Sequence, residues 1–286
     1  MQVRLWRVWF GVVLLLPGCS TWAEPAEDVV QQRMSADVKA GKPIVVHVVV
    51  ALCDNKNQGI VPVPATLGNG QDAARNLYWG AAYGVRTFLS RKETGWKLLS
   101  DLPNGRPEIL DKIVLSDTIL RDSKRIPVYL VAEAWDGKEM RAAIQRFFTL
   151  AAGREPETIE LSKPTGHKID AGSKAHLVVF VGHNGLMDYT PSSTAMADSS
   201  AQPRSAMVLA CASDFYFRKR LNRAGAHPIL LTTGLMAPEA YTLDAAVRAW
   251  ISDMSPANVV ESAASAYNRY QNCGIKAARR LFTTGP

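Results

Sequence analysis

Residues that commonly hold a metal ion are scarce, since the 286 residues include only five histidines and four cysteines. His47 lies inside a segment that is apolar at nearly every position, which is typical of a buried strand. His167, His176 and His227 lack the spacing of metal ligands to one another. The sequence therefore predicts no metal site.

Motifs for phosphate binding and for serine hydrolysis are also missing. The turn over 68–70 has two glycines, but it lacks the lysine and the strand context of a phosphate loop. No Gly-x-Ser-x-Gly elbow is present. The formal net charge is +7, yet the basic residues are scattered and form no stripe interleaved with aromatic residues. We therefore expect no cofactor and no nucleic-acid partner.

The only short hydrophobic run with the flanks of a targeting signal lies in residues 1–23. Arg4 and Arg7 precede an apolar run over 12–16 that is too short to span a bilayer, as in a secretory signal. Segment 16–19 resembles a bacterial lipobox, which would make Cys19 the lipidated first residue. The small residues near Ala23 favour cleavage after that position instead, and a buried N-terminal helix is a third interpretation.

Both cleavage sites predict an exported protein, located in the periplasm or anchored to the outer membrane. We expect contact with a membrane only through an N-terminal lipid. No low-complexity linker or internal repeat divides the rest of the chain. We therefore expect a polar N-terminal segment over 24–42 and one α/β domain over 43–286.

Valine-rich strands alternate with amphipathic helices along this domain, which predicts a mainly parallel sheet with helices on both faces. The predicted strands cover 44–52, 112–116, 127–135, 175–182, 205–211 and 227–233. The predicted helices cover 26–40, 72–91, 136–152, 214–224, 239–252 and 257–272.

Two consecutive strands of this prediction end in residues that support nucleophilic catalysis, His183 and Cys211. Active sites of parallel sheets lie at the carboxyl ends of the strands, so these side chains are expected to emerge together. A thiolate is a strong nucleophile, and a nearby imidazole takes its proton and later protonates the leaving group. Gly185 and the N–H of Cys211 are the candidate oxyanion donors. Burial as structural residues is the alternative.

The sequences Gly-His-Asn-Gly over 182–185 and Leu-Ala-Cys-Ala-Ser over 209–213 resemble the motifs of clan CD cysteine peptidases. These are the caspases, legumains, gingipains, clostripain-like enzymes and related CHAT domains. The resemblance covers roughly 44–252 and implies a caspase-like three-layer sandwich, with Cys211 as nucleophile, His183 as general base and acid, and a peptide or protein substrate. Asn184 stands where that family has glycine. An inactive envelope protein that binds a peptide or protein partner is therefore the alternative.

Three carboxylates fall near the same predicted edge of the sheet. Asp54 follows the first strand, Asp188 follows the histidine turn, and Asp214 follows the cysteine by three residues. In this architecture they are expected to bind a basic substrate side chain. Helix capping explains Asp214 equally well, and Asp188 is also a candidate for orienting the histidine.

The remaining cysteines, Cys53 and Cys273, are the candidates for a disulfide in an oxidising compartment. Their pairing would leave Cys211 as the free thiol. Three unpaired thiols are the alternative.

Overall fold

A mainly parallel sheet forms the centre of the molecule in the computed structural model, which describes residues 26–121, 123–161, 168–191, 195–253 and 255–285. Within these ranges the sheet has eight strands in the order β10-β9-β8-β7-β1-β4-β3-β2. The strands are β1 (Ile44–Ala51), β2 (Lys97–Asp101), β3 (Ile109–Arg121), β4 (Lys124–Trp135), β7 (Leu177–Val181), β8 (Ser205–Leu209), β9 (His227–Thr232) and β10 (Phe282–Thr283). A separate hairpin pairs β5 (Pro156–Glu160) with β6 (Lys168–Gly172).

The five strands β4, β1, β7, β8 and β9 are parallel to their neighbours in this set. The outer strands β2, β3 and β10 pair in the antiparallel sense. All eight residues of β1 are buried, as its continuous apolar sequence predicts for a strand covered on both faces. The carboxyl ends of the parallel strands therefore meet at one edge of the sheet.

Helices cover both faces of this sheet. They are α1 (Ala26–Lys39), α2 (Val85–Leu89), α3 (Met140–Ala151), α4 (Ser213–Arg223), α5 (Ala240–Ile251), α6 (Pro256–Gln271) and α7 (Ile275–Leu281). Helices α1, α5 and α6 share one apolar core with Val46, Val48 and Val50 of β1. Helices α3 and α4 pack on the opposite face, against Val49. The molecule is thus a three-layer α/β sandwich, and the predicted fold class is confirmed.

Residues 26–39 belong to the body of the fold, although they lie in the segment predicted to be a polar N-terminal extension. Val30 and Met34 of α1 are fully buried in the core. Arg33 donates hydrogen bonds to the carbonyl oxygens of Lys174, Ala175 and Pro203, which lie before β7 and β8. The predicted signal over 1–23, with Cys19 and both cleavage sites, lies outside the described residues. No helix in the described ranges is both long and apolar enough to cross a bilayer.

The helix predicted over 72–91 is wrong, because only its last part, α2, is helical and the preceding residues form turns. The side chain of Asn76 accepts a hydrogen bond from the N–H of Cys53 (3.1 Å) and donates to its carbonyl (2.8 Å). At Gly80, a Cβ atom would lie 2.0 Å from the carbonyl oxygen of Ala74. Side-chain bonds and close backbone contacts therefore replace the regular helical bonds there.

Candidate functional site

His183 and Cys211 follow neighbouring strands at equivalent positions. Val181 of β7 pairs with Leu209 of β8, and each candidate residue lies two positions beyond this pair. The N–H of Gly182 donates to the carbonyl of Leu209 at 3.2 Å, which extends the pairing beyond the strands. Adjacent strands are about 4.8 Å apart, so the two backbones leave the sheet side by side.

Asn184 joins the two turns that follow these strands. Its Nδ2 donates to the carbonyl oxygen of Cys211 at 2.6 Å, and its Oδ1 accepts from the N–H of Leu186 at 3.1 Å. The residue is fully buried. A glycine at this position, as in the clan CD motif, has no side chain to make either bond. The departure from that motif therefore adds a direct link between the histidine turn and the cysteine turn.

The imidazole of His183 is oriented by Asp188. Its Nε2 lies 2.7 Å from Oδ2 of Asp188, which also accepts from the N–H of Gly59 at 3.3 Å. A Cβ atom at Gly59 would lie 2.6 Å from the Asp188 carboxylate, so the loop after β1 approaches it closely. With Nε2 directed to the carboxylate, Nδ1 is the ring nitrogen left to exchange a proton. Asp188, predicted as a substrate ligand or an orienting group, thus contacts the histidine.

Cys211 lies at a sharp strand-to-helix turn and is half-buried. Ala212 has φ +47° and ψ +36°, a left-handed conformation that costs a non-glycine residue about 1 kcal/mol. The thiol Sγ lies 3.4 Å from the nitrogen and 3.5 Å from the oxygen of Met236. Among the described residues, the Cys211 thiol has no hydrogen bond to His183.

Gly185 does not supply the predicted oxyanion donor, because its N–H donates to the carbonyl of His183 at 3.0 Å. The glycine is buried, and a Cβ atom there would lie 2.5 Å from Cγ of Met140. Its role is to close the histidine turn against α3. The N–H groups of Asn184 and Cys211 make no hydrogen bond in the described ranges, so they remain available as backbone donors in the two turns.

Asp54 organises the loop after β1 and is 1% exposed. Its carboxylate accepts from the backbone N–H groups of Lys56 and Asn57 and from the side chains of Asn57 and Gln71. Burial by itself would raise the pKa of Asp54. The hydrogen bonds from Gln71 and from the loop lower the pKa by more than burial raises it, so the net shift is downward. Gln71 also donates to Asp136 at 2.7 Å. The carboxylate of Asp54 is therefore used within the protein.

Asp214 is also committed, because it pairs with Arg218 one turn later on α4. Neither Asp54 nor Asp214 offers an unpaired carboxylate to a basic side chain, contrary to the prediction. Both residues were predicted to bind substrate because they closely follow the ends of strands in the sequence. Their loop and helix partners, which follow within the same segments, decide their role.

The predicted disulfide between Cys53 and Cys273 is absent, and both residues have free thiols. Cys53 is fully buried at the end of β1, whereas Cys273 is exposed between α6 and α7. Burial raises the pKa of the Cys53 thiol to about 11, although a hydrogen bond with Tyr78 opposes this shift. Cys53 is thus an inert core thiol, and the prediction of a cross-link is wrong.

A carboxylate that the sequence analysis missed, Glu239, lies beside the loop that contacts Cys211. It accepts hydrogen bonds from Tyr241 Oη (2.8 Å) and Gln271 Nε2 (3.2 Å), and it is 8% exposed. Burial raises the pKa of Glu239. The position of Glu239 just before α5, after the fifth predicted strand, was the sequence feature that could have identified it. Its partner Gln271 lies 32 residues away and is brought to it only by the tertiary structure.

A buried cluster of charged residues near the centre of the sheet has one set of potential metal ligands. Ligand atoms of His47, Glu133 and Glu157 lie within 4.8 Å of one another. However, Lys112 pairs with both carboxylates, and Arg146 lies 2.8 Å from Glu133. His47 accepts from the N–H of Gly172 through Nδ1, so its Nε2 carries the proton and faces Glu133. These internal cations already neutralise the carboxylates, so the cluster is better suited to stabilising the fold than to holding a metal.

A cavity of about 770 Å³ opens at the opposite, amino edge of the sheet. Its walls include Arg33 and Asp37 of α1, His176 before β7, and Asp170 of the hairpin. Neither His183 nor Cys211 lines it. Charges of both signs are paired within its walls, as between Lys42 and Asp37 at 2.9 Å. The candidate nucleophile and this cavity therefore lie at opposite ends of the parallel strands.

No protein-family model, no curated protein and no solved structure matches this chain. The functional argument below therefore rests on the geometry at the carboxyl edge of the sheet.

Proposed function

We propose that this protein is an exported cysteine hydrolase that acts on peptides, with Cys211 as the nucleophile and His183 as the general base and acid. The observation that carries the proposal is the equivalent position of the two residues on adjacent parallel strands, two residues beyond the pair Val181–Leu209. The bond from Asn184 to Cys211 and the contact between Asp188 and His183 support it.

The reaction begins when His183 Nδ1 takes the thiol proton of Cys211. The thiolate attacks the carbonyl carbon of the substrate, a sulfur–carbon bond forms, and the carbonyl electron pair moves onto oxygen. In this proposal, the N–H groups of Asn184 and Cys211 donate to that oxyanion. Collapse of the intermediate breaks the carbon–nitrogen bond, and the leaving amine takes the proton from His183.

Hydrolysis of the resulting thioester completes the cycle. His183 takes a proton from water, and the hydroxide oxygen attacks the thioester carbon. The sulfur–carbon bond then breaks, the acid product leaves, and the thiolate recovers a proton from His183. Asp188 orients the imidazole throughout and stabilises its protonated form, because it contacts Nε2 and leaves Nδ1 for the thiol.

Two features of the sequence support the wider proposal. The strand-end motifs over 182–185 and 209–213 resemble those of clan CD peptidases, which favours a peptide or protein substrate. Residues 1–23 resemble a secretory signal, and this favours a periplasmic location or an outer-membrane lipid anchor at Cys19.

The test is the reactivity of each thiol in the folded protein, produced from residue 24 onward and treated with iodoacetamide at pH 7. We expect Cys211 to be modified about tenfold or more faster than the exposed Cys273. His183→Ala should remove this advantage, whereas His227→Ala, at the opposite end of β9, should preserve it. Modification of Cys211 only after denaturation would overturn the proposal.

A second candidate function is peptide or protein binding without cleavage. One observation favours it: the thiol of Cys211 contacts the backbone of Met236 and, within the described residues, is not bonded to His183. A binding protein of this kind would retain its affinity for a peptide in the Cys211→Ala variant. Under this hypothesis, the wild-type thiol would react no faster than an ordinary cysteine.

A further inference from the structure

Four large apolar residues are strongly exposed on the loops at the carboxyl edge of the sheet. Val61 is 87% exposed, Met187 44%, Phe215 84% and Leu235 75%. They come from four separate segments, which follow β1, β7, β8 and β9 respectively. We call these four residues the apolar rim. Exposure of such side chains costs free energy in water, so their convergence on one edge of the sheet indicates a surface for contact.

Each member of the apolar rim lies within four residues in the chain of Cys211 or of a residue that contacts the candidate site. Leu235 precedes Met236, whose backbone contacts the Cys211 thiol. Met187 precedes Asp188, which contacts His183. The other two are Val61, two residues after the Gly59 that donates to Asp188, and Phe215, in the first turn of the helix that follows Cys211. The segments that carry the rim therefore also carry the groups that contact His183 and Cys211.

Carboxylates near the site are not free to select a basic side chain. Asp54 is buried beneath its four donors, Asp214 pairs with Arg218, and Asp188 contacts His183. Glu239 accepts hydrogen bonds from Tyr241 and Gln271, and burial raises its pKa.

Three cations in the segments that follow β4 and β8 are engaged as well. Arg218 bonds to Asp214 and to the carbonyl of Thr284, and the guanidinium of Arg141 lies 3.9 Å from the ring centre of Tyr189. Lys138 pairs with Asp136 at 3.3 Å. A lysine or arginine of the substrate would therefore lose water without gaining an unpaired partner among the carboxylates named above, and an aspartate would lose water against the apolar rim, which is unfavourable.

We infer that the site selects peptide segments whose side chains next to the scissile bond are uncharged and apolar. This inference rests on the proposed function, since it concerns the substrate of the same thiol. Leu235, in the loop that contacts the Cys211 thiol, and Phe215, in the helix that follows Cys211, supply the apolar contact surface. Burial of a substrate leucine or phenylalanine against them favours binding, whereas a charged side chain would lose water there.

The test compares peptidyl chloromethyl ketones that end in leucine, phenylalanine, lysine or aspartate. The thiolate displaces chloride from these reagents, so intact-mass measurement gives the rate of modification even without turnover. We expect the leucine and phenylalanine reagents to modify Cys211 about tenfold or more faster than the charged ones. Equal rates, or faster reaction of a charged reagent, would overturn the inference.

Iodoacetamide separates this inference from the proposed function, because it reaches the thiol without a peptide. Fast, His183-dependent reaction with iodoacetamide but no apolar preference would overturn the inference alone. Failure of every ketone would also overturn it. Failure with iodoacetamide as well would overturn both the inference and the proposed function.

Variants of the apolar rim provide the second measurement. Leu235→Ser and Phe215→Ser should each slow the leucine reagent about five- to tenfold, while the iodoacetamide rate stays within about twofold. Leu120→Ser is the matched control, because Leu120 is 74% exposed at the far end of β3. If the rim variants behave like this control, the rim does not select the substrate.

Discussion

The side-chain amide of Asn184 donates to the backbone carbonyl of Cys211 at 2.6 Å, so the turn after β7 is tied directly to the turn after β8. The bond is partly buried and joins residues that are 27 positions apart. Because Asn184 directly follows His183, this bond restrains the backbone of the proposed base relative to the backbone of the proposed nucleophile. Precise spacing of this kind is what a proton transfer between two side chains requires.

Asn184→Asp should impair the site more than Asn184→Ala. The aspartate keeps an acceptor for the N–H of Leu186 but sets a carboxylate against the carbonyl of Cys211. We expect the alanine variant to lose about 1–2 kcal/mol of unfolding free energy and the aspartate variant to lose more. Urea unfolding and the iodoacetamide rate of Cys211 measure these effects. Asn222→Ala, on the exposed side of α4, should change neither, and equal behaviour of all three would contradict the role of Asn184.

Asp188→Asn should slow peptide cleavage about 10- to 100-fold without unfolding the protein. Removal of the charge removes the stabilisation of protonated His183 and the preference for a proton on Nε2. The comparison is kcat/KM on an apolar peptide, with thermal unfolding as the check on structure. Asp198→Asn is the control, because the Asp198 carboxylate accepts hydrogen bonds from Ser200 and lies in the wall of the cavity at the amino edge of the sheet. Unchanged cleavage by the Asp188 variant would show that this carboxylate does not orient the base.

The protein produced from residue 24 onward should contain three free thiols under oxidising conditions. Cys53 is buried, and burial raises its pKa to about 11, so it should react with iodoacetamide only after denaturation. Intact mass with and without a reductant, followed by peptide mapping, distinguishes the thiols. If the non-reduced protein were two hydrogens lighter than the reduced protein, and mapping showed Cys53 linked to Cys273, the disulfide predicted from the sequence would be present.

Stability should fall as the pH drops from about 6.5 to about 4, because burial lowers the pKa of His176 to about 4. The unfolded chain, with an ordinary histidine pKa near 6.5, binds a proton in this window while the folded protein does not. The loss from this one group is up to about 3 kcal/mol, and it levels off below the folded pKa. Urea unfolding at a series of pH values measures it.

His176→Gln is the matched variant for this prediction. Nδ1 of His176 accepts from the N–H of Val45, and Nε2 lies 3.2 Å from Asp37, so an amide supplies comparable polar groups without titrating. The variant should lose less stability between pH 6.5 and 4.5 than the wild type. Asp37, whose pKa is lowered overall by Lys42 and His176 against the effect of burial, adds its own loss at lower pH. An identical slope in both proteins between pH 6.5 and 4.5 would exclude His176 as the source.

Glu133→Gln should destabilise the fold by about 3–5 kcal/mol. Burial by itself raises the pKa of Glu133, but His47 and Arg146 hold it well below its ordinary value, so the carboxylate is charged. Its neutral replacement would leave the cations of Lys112 and Arg146 poorly compensated in the core. Glu160→Gln, at an exposed ion pair of the hairpin, should leave the unfolding free energy unchanged. A similar result for both variants would show that the buried network contributes little.

The valine-rich pattern was sufficient to predict the parallel strands and the helices on both faces of the sheet. β1 is apolar at nearly every position, and a strand of that composition must be covered on both sides. The pattern failed over 72–84, where apolar residues at helical spacing occur in turns. Asn76 bonds to the backbone of Cys53, 23 residues away, and no periodicity in the local sequence encodes that bond.

Chain order alone placed His183 and Cys211 at the ends of consecutive strands, since strand length and direction are local properties of the sequence. Only the tertiary structure decided the partners of the surrounding groups. It brought Asp188 to His183, enclosed Asp54 among loop donors, and closed Gly185 into its turn. The reason is physical: apolar periodicity is a property of neighbouring residues, whereas the hydrogen bonds at the site depend on turn geometry that folding imposes and on groups from separate segments, such as Asn184 with Cys211 and Gly59 with Asp188.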